Sequence, residues 1–160
     1  MKITQSIASS LDSRLYLHAG SHLGAVVHGQ IIPWDDDLDA IMDFRKIKEF
    51  GAICEGNGTE VHPSGVRLRC VKYFNAYKVW LHYEGMVKLT RDKMEWYSPF
   101  VDLFFYKIED GTFFEVLTDG TRHQEEYAVS EYFPTRPYYF AGKIASRIHF
   151  CYQWLQILLE

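Results

Sequence analysis

The feature that most constrains this chain is an acidic stretch enclosed by apolar residues. Asp35, Asp36, Asp37 and Asp39 fall within five positions, between the apolar segments 31–32 and 40–42. So many carboxylates beside an apolar run cost folding free energy unless a positive charge neutralises them. In an extended strand the side chains alternate, so Asp35, Asp37 and Asp39 would share one face. Carboxylate oxygens are the ligands that Mg²⁺ and Mn²⁺ prefer, and the pattern predicts a metal site.

The same residues are compatible with two other local structures. A solvated turn that caps a following helix would also favour aspartate. An EF-hand calcium loop that begins at Asp35 needs Gly at its sixth position and Glu at its twelfth, where the chain has Ala40 and Lys46. The EF-hand is therefore disfavoured, and the capping turn stays open as an alternative to the metal site.

Length and composition predict one globular domain over residues 1–160. The chain is 48% hydrophobic and 16% aromatic, which is enough to build a core and argues against disorder. Its net charge is −4. A negative net charge does not indicate a surface that binds polyanions, so we expect no nucleic-acid partner.

The cysteines and the apolar segments bear on topology. Cys54, Cys70 and Cys151 are widely spaced, and an odd, sparse set favours buried thiols over a disulfide scaffold or a zinc site. No segment reaches the roughly 18 apolar residues of a membrane helix, so we expect no membrane span in this chain. The apolar residues 148–159 predict a packed helix, and we expect the domain to be truncated at its C-terminus.

Periodicity predicts an α+β fold with a mixed or antiparallel sheet. Apolar and polar residues alternate over 66–73 and 77–83, which flank a turn at 75–76. Residues 101–106 and 112–117 are two further predicted strands, and 45–54 is a predicted helix. The segment 131–143 is rich in proline and aromatic residues, and we interpret it as a loop.

Asp102 is the second informative carboxylate. It interrupts the apolar run 100–105, where a lone charge would be expensive. An aspartate at a strand edge that faces water would explain it equally well. Beside a metal site, however, Asp37, Asp39 and Asp102 could bind two cations that clamp the oxygens of an in-line phosphoryl displacement. One of these carboxylates could also take the proton of the acceptor.

A phosphate-binding turn is predicted at Gly20-Ser21, after the short apolar segment 15–19. Glycine lets the backbone approach an anion closely, and the amides at the start of a helix favour negative charge. The dipeptide by itself is equally compatible with an ordinary turn. Its position about sixteen residues before Asp37 gives it weight.

Four further side chains are weaker candidates for contact with substrate or metal. His28, like His18 and His22, lies near the site in sequence but in no zinc-binding spacing. Arg67, with Arg69, could hold phosphate, although a solvated strand face also explains the pair. Lys143 is a similar basic candidate. Trp34 could stack on a base, but we expect core packing instead.

Residues 19–39 resemble the signature of the LicD family, which includes fukutin and fukutin-related protein. The family pattern is roughly G-[ST]-L-L-G-A-V-R-H-x-x-x-I-P-W-D-D-D-I-D, and this chain has GSHLGAVVHGQIIPWDDDLD. Residues 98–104 resemble the later strand of the family that carries an aspartate. Residues 133–142 are similar to its downstream Phe-Pro and Phe-x-Gly elements. Two departures are Val27, where the family has Arg, and His22, where it has Leu.

This resemblance implies a nucleotidyltransferase-like fold and a function. It implies transfer of a phosphorylated alcohol from a CDP-activated donor, such as CDP-choline or CDP-ribitol, to a glycan or glycoconjugate acceptor. By motif position Asp37, Asp39 and Asp102 are the catalytic metal ligands for Mg²⁺ or Mn²⁺, and Gly20 and Ser21 bind phosphate. Asp35 is an additional acidic position.

Two other functions stay open. The departure at Val27 and the short C-terminus are compatible with a non-catalytic domain that binds a glycan or a protein partner. Nucleotide transfer to RNA has the same motif layout, although the acidic net charge disfavours it. The resemblance leaves the compartment unassigned, because animal relatives act in the Golgi lumen and bacterial relatives in the cytoplasm.

Overall fold

The computed structural model describes residues 10–55, 67–73, 75–140 and 143–147. Within these ranges short helices accompany a large mixed sheet, and the predicted α+β class is confirmed. The strands are β1 (Leu15–Leu17), β2 (Asp37–Asp43), β3 (Arg67–Lys72), β4 (Tyr77–His82), β5 (Val87–Arg91), β6 (Met94–Ser98), β7 (Phe100–Glu109), β8 (Thr112–Val116), β9 (Arg122–Ala128), β10 (Arg136–Phe140) and β11 (Lys143–Arg147). The helices are α1 (Ala19–Val27), α2 (Ile47–Glu55) and α3 (Val129–Tyr132), and a 3₁₀ turn (Phe44–Lys46) precedes α2.

The main sheet is built around the parallel pair β2 and β7. Its strand order is β10-β11-β1-β2-β7-β4-β3, and β5 and β6 form a separate two-stranded sheet. Strand β7 is ten residues long. Its first part pairs with β4 and its second part with β8, which in turn pairs with β9. Residues near the start of β7 therefore have neighbours on both sides, β2 and β4.

Alternation assigns the two faces of the central strands different roles. On one face Leu38, Leu103 and Phe105 join the main core, together with Ala25 of α1 and Phe50 of α2. The opposite face carries the carboxylates near the start of β2 and β7. Further along the same strands this second face becomes apolar, where a smaller cluster forms around Tyr16, Ile41, Tyr106, Phe113 and Tyr132. The acids therefore lie at one end of a face that is otherwise buried.

The expectation of buried free thiols is wrong for two of the three cysteines. Cys54, in the last turn of α2, and Cys70, in β3, form a disulfide, with their Cα atoms 5.5 Å apart. The two residues are neighbours because α2 packs beside β3, and sequence spacing does not contain that information. Cys151 lies outside the described residues.

Several elements differ from the sequence prediction. Residues 131–143 include the end of α3, all of β10 and the start of β11 instead of a loop. Strand β10 ends the order of the main sheet, and an edge strand tolerates a proline such as Pro137. The polar strand β9 was not predicted because it lacks the alternation of a half-buried strand. The helix predicted over 148–159 lies outside the described residues.

Candidate active site

The acidic site forms where β2 and β7 begin side by side. In their parallel register Asp37 lies opposite Phe100, and Asp39 lies opposite Asp102. Residues paired in this way present their side chains on the same face of a sheet, so Asp37, Asp39 and Asp102 share one face. The alternation expected for the acidic stretch therefore holds for Asp37 and Asp39. Asp39 is 9% exposed, and Asp37 and Asp102 are partly buried.

Asp35 reaches the same site from a turn instead of from the strand. Strand β2 begins only at Asp37, and the Asp35 amide donates a hydrogen bond of 2.9 Å to the carbonyl of Ile32. Even so, carboxylate oxygens of Asp35, Asp37 and Asp39 all lie within 4.8 Å of one another. These three aspartates thus form the most compact acidic group of the site, with Asp102 on the adjacent strand.

The start of α1 packs directly against these carboxylates. Ala19 has a left-handed φ of 38°, an uncommon value for a residue other than glycine, where the chain turns from β1 into the helix. The Ser21 amide donates to Asp39 Oδ2 at 3.3 Å, and the Asp39 amide donates to Ser21 Oγ at 2.8 Å. Gly20 and Ser21 therefore belong to the first helical turn, where a separate turn was expected before the helix.

Gly20 occupies a position where a side chain does not fit. A Cβ atom there would lie 2.8 Å from Asp35 Oδ2 and 3.2 Å from Asp39 Oδ2. The first of these distances is shorter than real Cβ contacts. The backbone of the helix start thus approaches the acidic group as closely as it can, and only glycine permits this approach.

Crowding of like charges at partly buried positions raises the pKa values of the acids. Burial, together with Asp39, Asp102, Asp35 and Asp36, raises the pKa of Asp37 to about 7. Burial also raises the pKa of Asp39 to about 6, although nearby His18 acts in the opposite direction. A bound cation would stabilise the ionised form of these carboxylates, because it would offset their mutual repulsion and the cost of burying their charge. The donor set and its charge therefore fit a divalent cation such as Mg²⁺ or Mn²⁺.

Two further side chains lie beside the acids: Lys78, which was not predicted from the sequence, and His18, which was one of the weaker candidates. Lys78 of β4 lies opposite Asp102, and its Nζ atom is 2.9 Å from Oδ1 and 2.8 Å from Oδ2 of that carboxylate. His18 precedes α1, and its Nε2 atom lies 3.1 Å from Glu115 Oε2. Alternation in β4 could have assigned Lys78 to the face opposite Val79. Its proximity to Asp102 follows only from the strand order.

The weaker candidates lie at different distances from this group. His28 is at the C-terminal end of α1, edge-on to Trp34 with ring centroids 6.2 Å apart. Trp34 is 82% exposed, so the expectation of core packing is wrong. The turn between Ile32 and Asp35 holds its ring outside the core. Arg67 begins β3 and Lys143 begins β11, and both side chains lie outside the described part of the structure.

Comparison with protein families decides what kind of domain carries this site. The family model of the LicD/FKTN/FKRP nucleotidyltransferase domain matches residues 12–146. The chain belongs to this family. The match spans α1, β2 and β7, and the resemblance drawn from residues 19–39 is confirmed. Among curated proteins, none matches the chain.

Membership of the LicD/FKTN/FKRP family supports a phosphotransferase-like function in glycan modification. Such a function involves an activated donor and a glycan acceptor, and the family is known for dependence on metal. The compact group of Asp35, Asp37 and Asp39 could bind such a metal ion. Within the part of the chain that the structure describes, no helix has the length and apolar character needed to cross a bilayer.

Proposed function

We propose that this domain transfers a phosphorylated alcohol from a CDP-activated donor to a glycan or glycoconjugate acceptor, with Mg²⁺ or Mn²⁺ as cofactor. The alcohol belongs to the class of choline and ribitol. One observation carries the proposal: three carboxylates lie within 4.8 Å of one another against the start of a helix that has no side chain at Gly20. Hard ligands for a cation and backbone amides for an anion meet there, as a metal–pyrophosphate complex requires.

Asp37 and Asp39 would hold the cation, with Asp102 from the neighbouring strand and Asp35 from the preceding turn as further ligands. When bound, the cation would neutralise charge on the phosphoryl group that is transferred. Ser21 holds Asp39 at two points, because its amide donates to the Asp39 carboxylate and its hydroxyl oxygen accepts from the Asp39 backbone amide. Such fixed ligands reduce the reorganisation that binding needs.

The remaining steps use the residues of this chain directly. The Gly20 amide, at the positive end of the α1 dipole, would bind a phosphate oxygen of the donor, and Ser21, whose amide donates to Asp39, would keep that carboxylate beside the phosphate. An acceptor hydroxyl oxygen would form a bond to the phosphorus that carries the alcohol, and the bond from that phosphorus to the departing CMP would break. One carboxylate of the site would take the hydroxyl proton.

The proposed function is tested by the thermal stability of the protein with Mn²⁺ and CDP, added singly and together. We expect a joint shift that exceeds the sum of the two single shifts, because a cation held by the aspartates would neutralise the negative charge of the nucleotide phosphates. Asp37→Asn and Asp39→Asn should abolish the joint shift. Asp36→Asn is the matched control, because it removes an exposed charge from the same stretch outside the compact acidic group.

Donor identity is tested with a panel of CDP-alcohols and a glycan acceptor, scored by release of CMP. Absence of any shift with cytidine nucleotides would contradict the proposed function. Nucleotide binding without CMP release from any donor would favour the second candidate, a non-catalytic binding domain. Val27 motivates that candidate, because it is 51% exposed at the end of α1 where the family pattern has arginine.

A further inference from the structure

A row of charged side chains crosses the site face of the sheet, and Lys78 ends it. Asp39 of β2 lies opposite Asp102 of β7, and Asp102 lies opposite Lys78 of β4. Paired residues in adjacent strands present their side chains on one face, so the three side chains follow one another across the sheet. A lysine therefore lies next to Asp102, the carboxylate on the strand beside the compact acidic group.

Lys78 binds both oxygens of Asp102. Its Nζ atom lies 2.9 Å from Oδ1 and 2.8 Å from Oδ2, and the two side chains are only 13% and 16% exposed. An ionised carboxylate offers about four lone-pair sites, and the ammonium uses one on each oxygen. The remaining lone pairs stay available to other partners.

Aromatic rings hold the ammonium group in this position. Lys78 Nζ is 4.8 Å from the centroid of the Trp96 ring and 4.5 Å from that of Phe100. Both rings are buried, at 7% and 5% exposure. A lysine side chain is normally flexible, but contacts with two ring faces and a carboxylate leave it a single arrangement. Trp96 and Phe100 therefore fix Lys78, and Lys78 in turn fixes the Asp102 carboxylate.

Stability alone is a weak explanation for such a pair. A buried ion pair can often be replaced by apolar residues of similar volume without loss of stability. An apolar side chain at position 78 could pack against Trp96 and Phe100 equally well. An apolar side chain, however, could not fix the plane of the Asp102 carboxylate. Partners of this kind orient metal ligands, and their loss typically weakens metal binding by about 10–100-fold.

We propose that Lys78 is a positioning residue, which holds the Asp102 carboxylate in the orientation that a cation bound by Asp37 and Asp39 requires. Trp96 and Phe100 extend the same function by fixing Lys78. The inference rests on the proposed function, because it takes Asp102 as a ligand of that cation. It adds to the site a residue that lies 24 positions before Asp102 and outside the acidic motif.

The test measures the affinity of the folded protein for Mn²⁺ alone, by titration calorimetry without nucleotide. Lys78→Met keeps the length and the packing of the side chain but removes its charge. We expect this variant to bind Mn²⁺ about tenfold more weakly. Because Lys78 acts through Asp102, adding Lys78→Met to Asp102→Asn should cause no further loss. Lys78→Arg, which restores a donor to Asp102, should recover part of the affinity.

Lys88→Met is the matched control. It removes a lysine that pairs with Glu95 in the β5–β6 hairpin, where both side chains are about half exposed. Its Mn²⁺ affinity should equal that of the unmodified protein. Circular dichroism and thermal melting of every variant separate a loss of folding from a loss of affinity.

Three outcomes would overturn the inference. The first is an Mn²⁺ affinity of Lys78→Met within twofold of the unmodified protein, whatever happens to its melting temperature. The second is a further loss when Lys78→Met is added to Asp102→Asn, a comparison that remains available if the single variant does not fold. The third, no Mn²⁺ binding by the unmodified protein, would overturn the proposed function as well.

Discussion

At the scale of single residues, the site depends as much on a missing side chain as on the carboxylates. Gly20 lies in the first turn of α1, and its backbone faces Asp35 and Asp39. A helix interior normally disfavours glycine by about 0.5–1 kcal/mol relative to alanine. The chain nevertheless has glycine at this position, where any larger residue would meet a carboxylate oxygen. The identity of this residue is therefore set by the site and not by helix formation.

We predict that Gly20→Ala weakens Mn²⁺ binding by tenfold or more while the fold persists. The added Cβ would lie 2.8 Å from Asp35 Oδ2, so either that carboxylate or the helix start must move. Displacement of one ligand is expected to cost about as much as the loss of an orienting partner. Titration calorimetry with Mn²⁺ measures the effect.

Gly51→Ala is the control for that prediction. Gly51 is also in a helix, α2, and among the described residues a Cβ there would meet the Tyr77 hydroxyl at an ordinary 3.5 Å. Its Mn²⁺ affinity should be unchanged, and its stability should rise slightly because alanine favours a helix. Equal affinity of Gly20→Ala and Gly51→Ala for Mn²⁺ would contradict the role given to Gly20.

The raised pKa values predict how metal-free stability depends on pH. The pKa of Asp37 is about 7 and that of Asp39 about 6, against ordinary values near 3.8. The folded protein therefore holds these protons at pH values where the unfolded chain has lost them. Unfolding releases protons in this window, so stability falls as pH rises from about 4 to about 7. Melting temperatures in EDTA should show this fall, and Asp37→Asn should reduce it.

Metal binding should have the opposite dependence on pH. Mn²⁺ must displace the protons of Asp37 and Asp39, so its apparent affinity should increase as pH rises through about 6 and 7. Calorimetry at several pH values measures this increase and the protons released. An affinity that is constant from pH 5 to pH 8 would mean that these aspartates do not bind the ion.

At the scale of elements, a covalent link ties α2 to the sheet. Cys54 and Cys70 are 16 residues apart in sequence, and their disulfide joins the end of the helix to β3. The core residue Phe50 belongs to the same helix and contacts Tyr77 and Phe105. The position of α2 on the sheet is thus set by both packing and a covalent bond.

We predict that the double variant Cys54→Ala, Cys70→Ala lowers the free energy of unfolding by about 2–4 kcal/mol. Without the disulfide the unfolded chain has higher conformational entropy, which favours unfolding. Chemical denaturation of protein produced under oxidising conditions measures the loss. A reductant should destabilise the unmodified protein similarly and leave the double variant unaffected. A reductant effect on the double variant would point to another cause.

The sequence predicts single elements better than the contacts between them. Strands β3 and β4 follow from alternation, and β7 and β8 were predicted as further strands. Asp37 and Asp39 follow from the acidic motif, and Asp102 follows from its place in an apolar run. The proximity of Lys78 to Asp102 and of Cys54 to Cys70 depends on which elements are neighbours, and local pattern does not encode this. The contribution of Asp35 from a turn instead of the strand could not be predicted either, because element boundaries are the least certain part of such predictions.

At the scale of the whole molecule, β7 connects the core to the site. It pairs with β2, β4 and β8, and it carries Asp102 on one face and Leu103 and Phe105 on the other. Phe105 is fully buried against Phe44, Phe50 and Tyr77. Damage to this strand should therefore affect folding before it affects binding.

We predict that Phe105→Ala destabilises the protein by about 3–5 kcal/mol, through lost burial and a residual cavity. Ile108→Ala in the same strand is the control, because Ile108 is 47% exposed and its truncation should change stability by less than about 0.5 kcal/mol. Chemical denaturation measures both. A similar loss in the two variants would contradict the assigned core.

The raised pKa values of the site have a consequence for how this fold evolves. Crowded aspartates on a central strand make the metal-free protein less stable at neutral pH, and most replacements of them would relieve that repulsion. A related protein that no longer needed the metal would therefore gain folding stability by replacing these acids. We therefore expect chains of this fold to keep Asp35, Asp37, Asp39 and Asp102 together where the cation is still bound.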